Sequence, residues 1–287
     1  MTYLNKLSEW LDEIEESLID FISKVKINEF RNDPDFGMRV ITNPYDYQKD
    51  INDVLKQQQI KIKKMYTDWE EHFNLLRRNL PEDTNDKIKN AIDFIKRQIE
   101  LKSDWTTEST PQKNIENIKS CVKKVYDFLN LYRKDESIVF FLDTNSLIIS
   151  PDLEIYKTLK GDKITILLTP TVLSELDKLK VTHHNNDFRN KVKSVIKRIK
   201  GFRKQGSLLS GITVFKSITV KMIATEPSFS NTLSWLDKDN NDDRFIASVI
   251  EYQIDNPSNS VYIISSDINL QNKSEMAKLS YIETPEK

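Results

Sequence analysis

Val139-Phe140-Phe141-Leu142-Asp143-Thr144-Asn145-Ser146-Leu147 is the stretch whose reading decides the fold. An apolar run that stops at a carboxylate reads as a buried strand whose end delivers an acid to the edge of a sheet. In an open α/β sheet that edge is where ligands bind. The pattern returns at Val261-Tyr262-Ile263-Ile264-Ser265-Ser266-Asp267. Between and around these runs, strand-like segments at Ile138–Leu142, Ile164–Leu168, Ile212–Phe215, Ile218–Ile223 and Val261–Ser265 alternate with helical patterns. The helical patterns lie at Pro170–Lys180, Asp187–Lys204, Asp242–Gln253 and Ile268–Leu279. Strands alternating with helices predict a mainly parallel sheet covered on both faces, an α/β domain over residues 136–287.

Upstream the grammar differs. Apolar residues fall at Leu4, Leu7, Leu11, Ile14, Leu18, Phe21 and Val25, and again at Ile51, Leu55, Ile62, Met65, Trp69, Phe73 and Leu76. Ile88, Ile92, Ile95 and Ile99 describe a third stripe, and Ile115, Ile118, Val122, Val125, Leu129 and Tyr132 a fourth. Steps of three and four residues are those of amphipathic helices, so residues 1–135 are expected to form an all-α bundle or coiled coil. Thr110-Pro111 reads as an N-cap followed by proline at the first helical position. The stripes read first as core; a face left open to a protein partner or to self-association is the second use of such helices. The segment from Asn28 to Gly37 reads as a connection without recognisable site chemistry.

Bulk properties narrow the function classes. A net charge of −1 supplies no global field toward nucleic acid, so any electrostatic attraction must be local. The single Cys121 excludes an intramolecular disulfide and a multi-cysteine zinc site, and it fits a reducing compartment, with cytoplasm the expected location. No run reaches the ~20 apolar residues of a membrane span, and the first residues lack the apolar core of a signal peptide. No membrane partner is expected.

Acids recur at one edge of the predicted sheet. Asp143 and Asp267 each end a strand; Glu175 flanks the buried face of the helix beginning at Pro170, with Asp177 on the other edge of the same apolar arc. Periodicity does not choose between Glu175 and Asp177. Asp243 precedes Ala247 and Ile250 by four and seven residues, which turns it inward on the first turn of its helix, and Asp242 is slightly rotated away. Singly, these residues also read as turn formers, helix caps or partners in a helical salt-bridge pattern. Together they are harder to dismiss, because converging carboxylates repel one another and a divalent metal relieves that repulsion. An oxygen-rich set without cysteine suits Mg²⁺ or Mn²⁺, and such ions promote phosphodiester hydrolysis. His183 and His184 lie beyond the Glu175 helix and point toward no metal role.

These motifs resemble those of PIN domains, a family of nucleases. Asp143-Thr144-Asn145-Ser146-Leu147 is similar to the first family motif, and Pro170–Lys180, which contains Glu175, to the second. Asn241–Ala247 resembles the third and Ile264–Lys273 the fourth, the last most like the PIN domains attached to PhoH-like ATPases and those of eukaryotic decay nucleases. The resemblance covers residues 136–287 and implies a three-layer α/β/α fold. It also implies a metal-dependent endoribonuclease whose acidic quartet is Asp143, Glu175, Asp243 and Asp267, with Asp242 a neighbouring or substitute ligand. Thr144, Asn145 and Ser265 become supporting or phosphate-contacting groups. Single-stranded or structured RNA is the implied substrate, and a bacterial toxin or phage-defence effector is the implied setting.

Between Arg189 and Lys204 lie eight cations and no acid, among them Arg189, Lys193, Lys197, Lys200, Arg203 and Lys204. A one-sign run of this kind suits phosphate contacts, and it also suits a solvated face or a dock for the helical half. The competing reading of the whole chain is a non-catalytic helical scaffold with a vestigial PIN domain. Asn145 disfavours a phosphatase of the haloacid-dehalogenase type, which needs an acid there, and an integrin-like metal site, which needs serine.

Overall fold

The computed structural model describes residues 1–29, 45–78, 80–161 and 163–286. Residues 30–44, which hold most of the connection expected between Asn28 and Gly37, lie outside the described residues. The chain divides into two compact units, one of Leu4–Arg133 and one of Met1–Tyr3 with Lys134–Lys287.

In the first unit the apolar stripes form α1 (Tyr3–Lys24), α2 (Asp53–Leu76), α3 (Glu82–Ile99) and α4 (Pro111–Asn130). A short antiparallel ribbon of β1 (Ile27–Glu29) and β2 (Tyr45–Tyr47), which sequence periodicity does not predict, lies between α1 and α2. Leu7, Leu11, Leu18, Phe21, Ile62, Trp69, Phe73, Ile92, Ile118 and Val125 are all buried, so the stripes are core. Polar tips of aromatic residues tie neighbouring helices: Trp69 Nε1 donates to Leu7 O at 3.0 Å, Tyr66 OH to Ile92 O at 2.8 Å and Tyr126 OH to Ser8 O at 3.2 Å. α3 packs on α4, closing a four-helix bundle. The Thr110 side chain caps α4 through the Lys113 amide, with Pro111 in its first turn.

The second unit is a six-stranded sheet in the order β5-β6-β4-β3-β7-β8. Its elements are β3 (Ile138–Leu142), α5 (Thr144–Ile149), α6 (Lys157–Lys160), β4 (Ile164–Leu168), α7 (Pro170–Thr182), α8 (Asn186–Arg203), β5 (Ile212–Val214), β6 (Ile218–Met222), α9 (Asn241–Asp255), β7 (Ser260–Ile264), α10 (Ile268–Met276) and β8 (Ser280–Ile282). All pairings are parallel except β5 with β6, where Phe215 and Lys216 both take left-handed backbone angles in a tight hairpin turn. Alternation along the strands fills both faces. Ile166, Leu168 and Val220 lie against Val195, Ile199 and Phe202 of α8, while the Phe141 ring meets Phe245 and Tyr252 of α9 edge-on. This is a three-layer α/β/α arrangement with a mainly parallel sheet.

Strand order sets the position of the site. From β3 the chain moves to β4 on one side, whereas from β7 it moves to β8 on the other, although β3 and β7 are hydrogen-bonded neighbours. Connections that leave adjacent strands in opposite directions open a crevice at their carboxyl ends. Leu142 pairs with Ile264, and the Asp143 amide donates to Ile264 O at 3.2 Å, so Asp143 and Ser265 emerge side by side at that crevice. Among the described residues, no helix is long and apolar enough to cross a membrane.

Candidate active site

At the carboxyl edge of β3 and β7 lies a pocket of about 300 Å³, lined by Asp143, Glu175, Asp242 and Asp267 together with Thr144, Asn145, Lys178 and Asn241. Carboxylates from four separate segments of the sequence therefore share one wall system. Each is held by a local device that the sequence supplies.

Asp143 is buried and is the N-cap of α5: its Oδ1 accepts from the Ser146 amide at 2.6 Å, and its Oδ2 accepts from the Ser265 hydroxyl. The Ser265 hydroxyl in turn accepts from the Asp267 amide at 3.0 Å, linking the two strand ends. Burial pushes the Asp143 carboxyl above the usual carboxylate range. The hydrogen bonds from Ser146 and Ser265 pull it back in part, and the charge of Asp267 adds to the rise. Asp267 caps α10 with Oδ1, which accepts from Asn269 N at 2.8 Å. Capping and pocket lining thus coexist in both aspartates, because a carboxylate has two oxygens and one suffices for the cap.

Glu175 projects from the second turn of α7, the helix begun by the Thr169 cap and Pro170. Both of its oxygens are engaged by neutral donors: the Thr144 hydroxyl at 2.5 Å from Oε2 and the Asn241 amide nitrogen at 2.8 Å from Oε1. These two contacts join α7 to α5 and α9. Asp177 takes the other side of α7, where its exposed side chain pairs with Lys180.

At the start of α9 the two adjacent aspartates part company. Asp242 lines the pocket, whereas Asp243 is buried behind it and is not among the lining residues. Asp243 Oδ2 accepts from the Asp237 amide at 3.0 Å, and its Oδ1 lies 2.7 Å from Lys273 Nζ. Lys273 also reaches Asp242 Oδ2 at 3.3 Å and Asn240 Oδ1 at 3.0 Å. Partial burial alone would lower the Lys273 ammonium, but the hydrogen bond to Asp243 and the charges of Asp242 and Asp243 outweigh it and hold the group above its usual value. The N-cap of α9 is Asn240, whose Oδ1 accepts from both aspartate amides.

Of the residues expected from sequence, Asp143, Thr144, Asn145, Glu175, Asp242 and Asp267 come together in the pocket wall. Ser265 supports Asp143 from beneath, and Asp243 supports the first turn of α9 through Lys273. Lys193, Lys197, Lys200, Arg203 and Lys204 are exposed on or just after α8, and Arg189 is half-buried there. The His183 and His184 rings stack on each other, and His183 also stacks on Phe188, apart from the pocket lining. Sequence reasoning offers Lys178 only as a helical salt-bridge partner for Glu175, whose carboxylate is held by Thr144 and Asn241, and it assigns no role to Asn240, Asn241 or Lys273. The usable signals are asparagines directly before two aspartates, where an N-cap is expected, and a lysine about one and two-thirds turns beyond a capping aspartate.

A PIN domain family model matches residues 140–284, just over half of the chain. The chain belongs to the PIN domain family. No curated protein matches it. PIN domains are generally nucleases that use divalent metal ions, and the pocket of this PIN domain has a compatible donor chemistry: lining carboxylates, two asparagines and hydroxyls, with no thiol or imidazole. The match is one of donor type rather than of assembled geometry, since among the described residues no three His, Cys, Asp or Glu side chains converge closely enough to hold an ion.

Proposed function

We propose that this PIN domain is a metal-dependent endoribonuclease that hydrolyses phosphodiester bonds in RNA. The observation that carries the reading is the meeting of Asp143, Glu175, Asp242 and Asp267, from four distant segments, in one pocket at the switch point of the sheet. These four carboxylates would hold Mg²⁺ or Mn²⁺, with Asp243 behind them. When bound, such an ion supplies a more acidic water and neutralises charge on the phosphoryl group.

The chain's own residues prepare the site. Ser265 and the Ser146 amide fix the Asp143 carboxylate, and Thr144 and Asn241 fix Glu175, so neutral donors hold both acids in place. Lys273 offsets part of the negative charge at the start of α9. Lys178, on the pocket wall, is placed to meet a phosphate, and Asn145 is exposed at the mouth. The helical unit keeps its apolar stripes in its own core, so we assign it to positioning or assembly through its outer faces.

Circular single-stranded RNA, which has no ends, tests both the reaction and its endonucleolytic character. Linearisation in Mn²⁺ or Mg²⁺, absent in EDTA and in Asp143→Ala, supports the reading; cleavage that survives Asp143→Ala removes the site.

A further inference from the structure

The solvent face of α8 carries Lys193, Lys197 and Lys200, and Lys204 follows at its C-cap, at intervals of four, three and four residues. That spacing puts the four ammonium groups on one stripe about 16 Å long at 1.5 Å per residue. All four are exposed, while Val192, Val195 and Phe202 on the opposite side of the helix are buried against the domain. Two of the three arginines of α8 are already engaged: Arg189 donates to His183 O at 2.6 Å, and Arg198 donates to Pro151 O. The four lysines have no ion-pair partner among the described residues, and the only acid in α8 is Asp187 in its first turn. The stripe is therefore uncompensated positive charge on a rigid rod.

Its setting relates it to the acidic pocket. α8 packs against α7, the helix that brings Glu175 and Lys178 to the pocket. Beyond α8, Leu208 O accepts from the Met222 amide at 2.9 Å, at the carboxyl end of β6, so the chain rejoins the sheet at the edge that carries the pocket. A pocket walled by carboxylates repels a polyanion, and a substrate strand needs cations nearby to offset that repulsion.

Resting on the nuclease reading above, we propose that Lys193, Lys197, Lys200 and Lys204 form a track for the phosphate backbone of a single-stranded nucleic acid whose neighbouring segment enters the acidic pocket. The composition of the stripe favours a nucleic acid over a protein partner. Protein interfaces are depleted of lysine and enriched in aromatic residues and arginine, whereas lysine point charges suit phosphates and carry no sequence information. Binding through the track is accordingly independent of sequence and strongly dependent on salt.

The test measures binding of fluorescein-labelled oligouridine to the full chain across a salt series, using Asp143→Asn as the parent so that the probe stays intact. Replacing all four lysines with glutamine is expected to flatten the slope of log affinity against log salt by roughly 3, about 0.7 for each phosphate no longer neutralised. Replacing them with arginine is expected to keep the parent's slope, and circular dichroism of both variants reports that the fold is intact. A glutamine variant that binds with the parent's slope overturns the track while leaving the nuclease reading standing, and it hands the stripe to an acidic protein partner or to solvent. A parent that fails to bind, with a wild type that fails to cleave, overturns both.

Discussion

Lys273→Met removes one positive charge from the most tightly packed electrostatic contact of the site while keeping the apolar stem. In the wild type, Lys273 Nζ lies 2.7 Å from Asp243 Oδ1, 3.3 Å from Asp242 Oδ2 and 3.0 Å from Asn240 Oδ1. The Asp243 side chain is 9% exposed and that of Lys273 is 23% exposed. Exposed pairs contribute about 0–1 kcal/mol, and removing one partner of a fully buried pair costs about 3–5 kcal/mol. This pair lies nearer the buried limit, so the variant is expected to lose about 2–3 kcal/mol, mostly because Asp243 is left buried and uncompensated. For a unit of this size that lowers the thermal midpoint by about 5–10 °C, read by circular dichroism or differential scanning fluorimetry without metal. The pH dependence has a definite sign. A lysine held above its usual value in the fold contributes stability that is fully present below the usual value and fades as pH rises through the raised one. The deficit of the variant is therefore constant across neutral pH and closes only in strong alkali. Asp243→Asn in the Lys273→Met background should recover part of the loss, giving a coupling of about 1–3 kcal/mol. A midpoint within about 1 °C of wild type would show that Lys273 compensates no buried charge and would refute this account of Asp243.

Three further substitutions separate the acid of the pocket and the residue that fixes it from an acid merely near it. Thr144→Val keeps the volume of a buried side chain and removes the hydroxyl that binds Glu175; a hydrogen bond to a charged group contributes about 1.5–3 kcal/mol to stability, so the thermal midpoint should fall by about 4–10 °C, and RNA cleavage should fall about 10- to 100-fold in kcat/KM as Glu175 loses its fixed position. Equal rates in the variant would mean that Glu175 needs no such support. Glu175→Gln is expected to cut the cleavage rate by at least about 100-fold, whereas Asp177→Asn, which alters an exposed pair with Lys180, should stay within about twofold. The reverse order of effects would place the wrong side of α7 at the pocket.

How much of this was legible in the sequence depends on how far apart the interacting residues lie. The stripes from Leu4 to Val25 and from Ile51 to Leu76 announce their helices because one side of each must be buried, and the structure buries it. The twin runs ending at Asp143 and Asp267 announce neighbouring strands for the same reason. The three-residue strands β1, β2 and β8 are too short to show alternation, and the reversal of β5 turns on Phe215 and Lys216, which carry no glycine or asparagine to signal a left-handed turn. Reading Asp143 or Asp267 as a helix cap or as a site acid posed a false choice, since each does one with Oδ1 and lines the pocket as well. Periodicity turns Asp243 inward and Asp242 slightly away, as the structure has them, but it does not tell which of the two reaches the pocket or that Lys273 of α10 contacts both. Asn241 was equally hidden, its partner Glu175 being 66 positions away.

The central claim is that the carboxylates of this pocket hold a divalent ion, and calorimetric titration of Mn²⁺ into the full chain tests it most directly. Saturable binding is expected in the wild type and in Asp177→Asn, and its loss in Asp143→Asn. Titrations of wild type and Asp143→Asn that superimpose would contradict the account.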